Sequence, residues 1–279
     1  MNPYILDPTK KRNFNHQTSF PGEFGNKFDV ILRSINLFDK INNFLFLFIL
    51  VSAVSIIASI SLYDSFLISF AIFCDAICLF AQVKLKIAFG PFKPQLLQLL
   101  ILRIPFLWLP EPFNMMAQLA GIVLVIRGYL IEPSKINVSQ LRITSQKLAK
   151  GETIHFAQFG DIHLERFGRR EKLLLHKLQN LNPYFIVFTG DFLNLSYTED
   201  SKSIEQVSNL INQINQIAPL FFVNGSVAVD LEEILLTIQS NTSAKRLENS
   251  STLIQSKNGH AQIVGLNCSH RPHIDIYNL

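Results

Sequence analysis

The sequence predicts an α/β protein in two parts: N-terminal transmembrane helices, followed by a partial layered α/β sandwich. Three observations carry this. Apolar residues make up 48% of the 279, more than one ordinary globular domain needs, and the excess lies almost wholly before residue 133. After Pro133 the composition shifts to helices of 3.6-residue period alternating with short apolar strands. Within that second part, residues 154–194 read as strand, helix, strand, the pattern of a right-handed βαβ unit whose two strands are parallel neighbours. The implied organisation is a polar tail and juxtamembrane helix over 1–43, a transmembrane region of three or four spans over 44–133, and an α/β domain over 134–279.

The net charge of +4, from 25 basic and 21 acidic residues, does not suggest a nucleic-acid-binding surface. Three cysteines make no disulfide framework, and they read as reduced packing residues.

Residues 1–27 are polar, with Lys10-Lys11-Arg12 reading as a solvated run beside a membrane. Over 28–43, Ile31, Ile35, Phe38 and Ile41 recur on one helical face with Arg33 and Lys40 opposite, as in a helix lying on a membrane surface. Phe44 to Tyr63 is twenty residues without a charge, enough for a helix to cross a bilayer. Asp64 then marks a turn, and Ser65 to Val83 is a second span carrying Asp75. Basic flanks on both sides of this hairpin place the N-terminus in the cytoplasm and Asp64 outside.

Gln95 to Leu109 is short, contains Arg103 and Pro105, and is barely long enough to cross. Phe113 to Ile131 is a further span with Arg127 near its far end; Asp75 and Arg127 are expected to pair, or Arg127 to reach the headgroups. Three spans leave the last domain outside and four leave it inside. Lys135, Arg142, Lys147 and Lys150 favour the cytoplasm.

In the second part, Lys135 to Thr144 alternates like an edge strand. Strands follow at 154–159 and 185–189, joined by a helix with leucines at 173, 174, 175, 178 and 181. A helix is expected over Ser201–Ile217, capped by Ser201 or Ser203, then a strand over Leu220–Val223 and a helix over Asp230–Gln239. Two more strands are expected at Leu253–Gln255 and Gln262–Leu266.

The chemistry gathers where the two parallel strands end. Asp161-Ile-His163 follows the first and Gly190-Asp191 the second, so two carboxylates and an imidazole meet in the crevice where open α/β sheets bind ligands. Skipping one residue lets Asp161 and His163 leave the strand end in one direction. Such a donor set suits a hard-to-borderline divalent ion.

This pattern resembles the start of the calcineurin-like metallophosphoesterases, over roughly residues 154 to 266, in which D-x-H and a following G-D supply the first half of a two-metal centre. The resemblance implies a metallophosphoesterase-like sandwich in which Asp161 and His163 hold the first ion and Asp191 bridges two. It implies hydrolysis of a phosphate mono- or diester by a hydroxide that the two ions generate. Divalent ions are the implied cofactors, two if the site is complete, with Mn, Fe and Zn all compatible. Ligation needs a neutral His163, so metal should be lost below about the reference histidine pKa of 6.5. Asn194 is expected to orient Asp191 from behind, and Arg166 reads as part of a solvated charged face rather than a phosphate contact.

The family's third motif, G-N-H-[DE], is altered. Aligned on Gly225, Ser226 stands where Asn is expected, no histidine follows, and Asn224 could contribute its amide oxygen only from a rebuilt turn. His260, His270 and His273 read as loop histidines rather than the family's later ligands, and the chain stops at Leu279, roughly halfway through a domain of usual size, so an incomplete domain is expected. Three readings therefore stand. The chain is a membrane-anchored phosphoesterase with the lipid bilayer and a phosphate ester as partners, or a degenerate relative that binds or regulates without turnover, or a membrane protein whose spans are its functional part.

Overall fold

The structure is a computed structural model that describes residues 37–58, 61–146, 148, 151–226, 229–256 and 259–266. The polar tail with Lys10-Lys11-Arg12, most of the juxtamembrane helix, Lys147, Lys150, Cys268, His270 and His273 lie outside the described residues. The described residues divide into two units: one up to residue 136 together with Gly168–Arg170, and the other of Asn137–Phe167 and the residues from Glu171 on.

In the apolar unit, α1 spans Asn43–Ala58 and α2 spans Leu62–Leu85. The chain restarts before Asp64, not at it. Ser61 caps α2, its hydroxyl accepting the Asp64 N–H at 3.2 Å, which leaves the acid in the first turn where the helix dipole favours it. Lys86, at φ 55°, ends α2 in the left-handed conformation. The short segment forms α3, Lys93–Arg103, followed by a 3-10 turn over Ile104–Trp108. Asp39 caps α3 from a distance by accepting the N–H groups of Phe92 and Lys93 at 3.0 and 3.1 Å. α4, Phe113–Ile126, runs on through a π-helical turn at Arg127–Ile131.

Two helical stretches are long and apolar enough to cross a membrane, Leu62–Leu85 with 24 residues and Phe113–Ser134 with 22. α1 has 16 residues. At about 1.5 Å per residue such a helix is shorter than a hydrocarbon layer of about 30 Å.

The expected pairing of Asp75 with Arg127 is corrected. Arg103 donates from Nε and Nη2 to both Asp75 oxygens at 2.7 Å, while Arg127 pairs with the exposed Glu132 at 3.1 Å. Arg103 wins because it lies on the buried face of α3, where the acid of α2 needs a partner; Arg127 lies past the end of α4 and reaches water.

Lys135 to Thr144, which runs from the end of the apolar unit into the second, forms no strand. It has no regular secondary structure and its Leu141 and Ile143 are exposed, because alternation makes a strand only where a neighbour accepts its hydrogen bonds. The sheet of the second unit comprises β1 Phe156–Phe159, β2 Phe185–Phe188, β3 Leu220–Phe222 and β4 Lys245–Arg246, in the order β1-β2-β3-β4 with every pair parallel. α5 Arg169–Leu181, α6 Ser201–Ile217 and α7 Glu232–Asn241 make the crossovers. Asp200, not a serine, caps α6: its Oδ2 accepts the Ser203 N–H at 2.7 Å. β4 is too short and basic to announce itself in the sequence. β5 Ser250–Ser256 and β6 Gly259–Gly265 pair with each other as an antiparallel hairpin outside the parallel sheet.

α6 buries Val207, Leu210, Ile211 and Ile214 against Ile186, Phe188 and Phe222 of the sheet, and Leu235 and Ile238 of α7 join the same core. Full burial of each such side chain stabilises the fold by roughly 1.5–3 kcal/mol, so this core holds the C-terminal strand ends, and the loops leaving them, in place.

Candidate metal centre

The chain leaves β1 and β2 still in parallel register. Asp161 N–H donates to Gly190 O at 3.1 Å, His163 N–H to Asp191 O at 3.0 Å and Leu164 N–H to Phe192 O at 2.9 Å. Yet the three candidate ligands are not extended: Asp161, His163 and Asp191 have φ of 54°, 42° and 61°. Non-glycine residues with a left-handed backbone cost of order 1 kcal/mol or more each, and such residues cluster where function requires them. This corrects the expected cause of their convergence. Strand alternation does not aim Asp161 and His163 together; their positive φ angles do.

Their ligand atoms lie within 4.8 Å of one another, the one such group among the described residues. His163 Nε2 is 3.5 Å from Asp191 Oδ2 and 3.9 Å from Asp161 Oδ1. Those gaps are too long for direct hydrogen bonds. They suit atoms that share a central ion at about 2.0–2.2 Å. Asp161 is exposed and His163 and Asp191 are half-buried, so one side stays open to solvent. The residues present therefore fit a divalent ion by donor type and by spacing.

Backbone contact fixes Asp191. A Cβ built on Gly190, at φ 93°, would lie 2.0 Å from the Gly225 nitrogen, and one on Gly225 would lie 2.4 Å from Asp191 Oδ1. The loops after β2 and β3 thus touch through two residues that can have no side chain. In that contact the Ser226 N–H donates to Asp191 Oδ1 at 2.6 Å, which leaves Oδ2 toward His163.

Asp230, to which the sequence reading assigned no role, locks the same junction. Its carboxylate accepts from the backbone N–H groups of Asp191, Phe192 and Gly225 at 2.8, 2.9 and 2.7 Å. Burial pushes its pKa up to about 6, the charge of Asp191 adds to the rise, and the three donors oppose it. The one signal available was its type, an acid just after an apolar stretch that turns away from a strand.

The other candidates are engaged elsewhere. Asn194 Oδ1 accepts the Ser196 N–H at 3.0 Å and its Nδ2 donates to Glu165 at 3.2 Å. Asn224 Oδ1 accepts from Arg246 Nε at 2.9 Å. Arg166 is no solvated charge: it pairs with Asp200 at 2.8 Å, donates to Ser203 Oγ and lies over the Tyr197 ring. Burial of Asp200 opposes its ionisation, but hydrogen bonds from Ser203 and Arg166 outweigh that and lower its pKa. His260 is exposed on β6.

Residues 154–227 match the family profile described as calcineurin-like phosphoesterase. No curated protein and no solved structure matches the chain. The matched span contains Asp161, His163, Asp191, Asn194 and Asn224, and ends three residues before Asp230.

Proposed function

We propose that the chain is a membrane-anchored, metal-dependent phosphoesterase acting on a phosphate mono- or diester. The observation that carries this is the convergence of Asp161, His163 and Asp191, each in the left-handed conformation, inside the span that matches the phosphoesterase family. A bound divalent ion would supply Lewis-acid polarisation of the ester and a nucleophile at neutral pH. The protein's part is positional. Asp161 and His163 come from one strand end and Asp191 from the next; the Ser226 N–H orients Asp191, and Asp230 ties the Asp191 and Gly225 loops together.

Anchoring is supported by the apolar side chains that cover the outside of the apolar unit while polar ones are buried within it. Phe66, Phe73, Phe80, Leu119 and Leu124 face outward, while Asp75, Gln82, Arg103, Asn114 and Gln118 are buried. Water disfavours such a surface and hydrocarbon favours it, since in lipid the polar groups must find partners inside. Trp108, which is exposed beyond α3, is of the type enriched at membrane interfaces.

The full chain in detergent, loaded with Mn²⁺, is expected to hydrolyse a generic aryl phosphate diester, and chelation or Asp191→Asn to reduce hydrolysis to background. Turnover that survives both changes would refute the reading. A second reading, metal binding without turnover, is favoured by the third motif, where Ser226 follows Gly225 and no imidazole stands to protonate a leaving group. Bound Mn²⁺ with no hydrolysis of either mono- or diesters would select it.

A further inference from the structure

The parallel pairing of β3 with β4 sets Arg246 level with Phe222, two residues before Asn224. There the arginine is almost fully enclosed, its side chain 4% exposed. Its Nε donates to Asn224 Oδ1 at 2.9 Å, and its two terminal nitrogens donate to the two oxygens of Glu232 at 2.9 Å each. Glu248 stands 3.7 Å away on the same guanidinium.

From this arrangement we infer that the centre holds one divalent ion, and that the side from which a second would be held is occupied by the ion-paired Arg246 and the asparagine bound to it. The inference rests on the metal-dependent reading above and deepens it. Asn224 is the amide nearest the altered third motif, and a ligand amide must offer its oxygen; here that oxygen accepts a hydrogen bond from a group that cannot lose its charge. The bidentate pairing with Glu232 holds the guanidinium in one orientation, so Asn224 is not released by a simple rotation of the arginine.

Asp191 agrees with this arrangement. Its Oδ1 faces a backbone donor, the Ser226 N–H, and the Gly225 backbone crowds the same oxygen, so Oδ2 is the atom left to face His163. Among the described residues, no second group of three acids, imidazoles or thiols gathers beside the first.

Mn²⁺ titration of the full chain in detergent, followed by calorimetry and electron paramagnetic resonance, tests the inference without turnover. One ion per chain with an uncoupled manganese spectrum is expected, and Asn224→Ala should leave its Kd within about threefold, since Asn224 is no ligand. Two ions per chain with an exchange-coupled spectrum, or a weakening of about tenfold or more in Asn224→Ala, would overturn the single-ion centre while leaving the phosphoesterase reading standing. No Mn²⁺ binding, or binding indifferent to Asp191→Asn, would remove the metal-dependent reading and this inference with it.

Discussion

Asp230 Oδ2 accepts the backbone N–H of Asp191 at 2.8 Å, so that one carboxylate holds the main chain of a residue whose own carboxylate faces the candidate ion site. Because burial raises the Asp230 pKa to about 6, the folded state holds this proton more tightly than the unfolded chain. The stability Asp230 contributes through its proton is therefore fully present below about pH 4 and is lost as pH rises through about 6. The loss is roughly 2–3 kcal/mol, at 1.36 kcal/mol per pKa unit. Chemical denaturation of the metal-free protein and of Asp230→Asn across pH 4 to 7.5 measures it: the wild-type curve should fall relative to the variant over that window, and parallel curves would contradict the assignment.

The Gly190–Gly225 contact predicts that alanine at either position is destabilising. A methyl group on Gly190 would enter the Gly225 backbone and would also need φ 93°. A loss of about 2–4 kcal/mol is expected in thermal or chemical unfolding of Gly190→Ala, with Mn²⁺ affinity falling too, because the loop that aims Asp191 must move.

Asp161 is exposed and strained, which predicts opposite effects on stability and binding. Asp161→Gly removes a side chain from φ 54° and should leave the metal-free protein equal in stability or about 0.5–1 kcal/mol more stable. Mn²⁺ is expected to raise the Tm of the wild type, and the same variant should lose that rise. A Tm that still rises with Mn²⁺ in Asp161→Gly would mean that Asp161 is no ligand.

In the apolar unit, the Asp75–Arg103 pair is extended by Gln118, whose main-chain and side-chain oxygens accept from Arg103 Nη1 at 3.1 and 3.2 Å. Removing one partner of such a buried pair strands the other, at a cost of about 3–5 kcal/mol. Arg103→Met should therefore destabilise the detergent-solubilised protein strongly, while Asp75→Leu with Arg103→Met should recover most of the loss. Arg127→Met should change stability little, since its partner Glu132 is exposed.

Much of the fold was legible because hydrophobic period is a local property. α6 appears at its expected bounds, Ser201–Ile217, and β2 and β3 within one residue of theirs, because Val207, Leu210, Ile211 and Ile214 recur at helical spacing and Phe185 to Phe188 form a short apolar run between turns. The Lys135–Thr144 reading failed for the complementary reason: alternation specifies a strand's faces but supplies no partner. At the candidate site, residue type and order pointed to Asp161, His163 and Asp191. They did not reveal that left-handed backbone, rather than strand pleat, brings those side chains together.

Chain order and local pattern were enough to locate the apolar helices, the βαβ unit and the two motifs at its strand ends, since each depends on neighbours a few residues apart. Which charge meets which was settled by packing. Arg103 rather than Arg127 reaches Asp75, Arg246 takes the oxygen of Asn224, and Asp230 gathers three amides from two loops, each across at least five residues and most across more than twenty. Such pairings follow from the cost of burying a charge or an amide without a partner, and that cost is felt only once the chain has closed around the group.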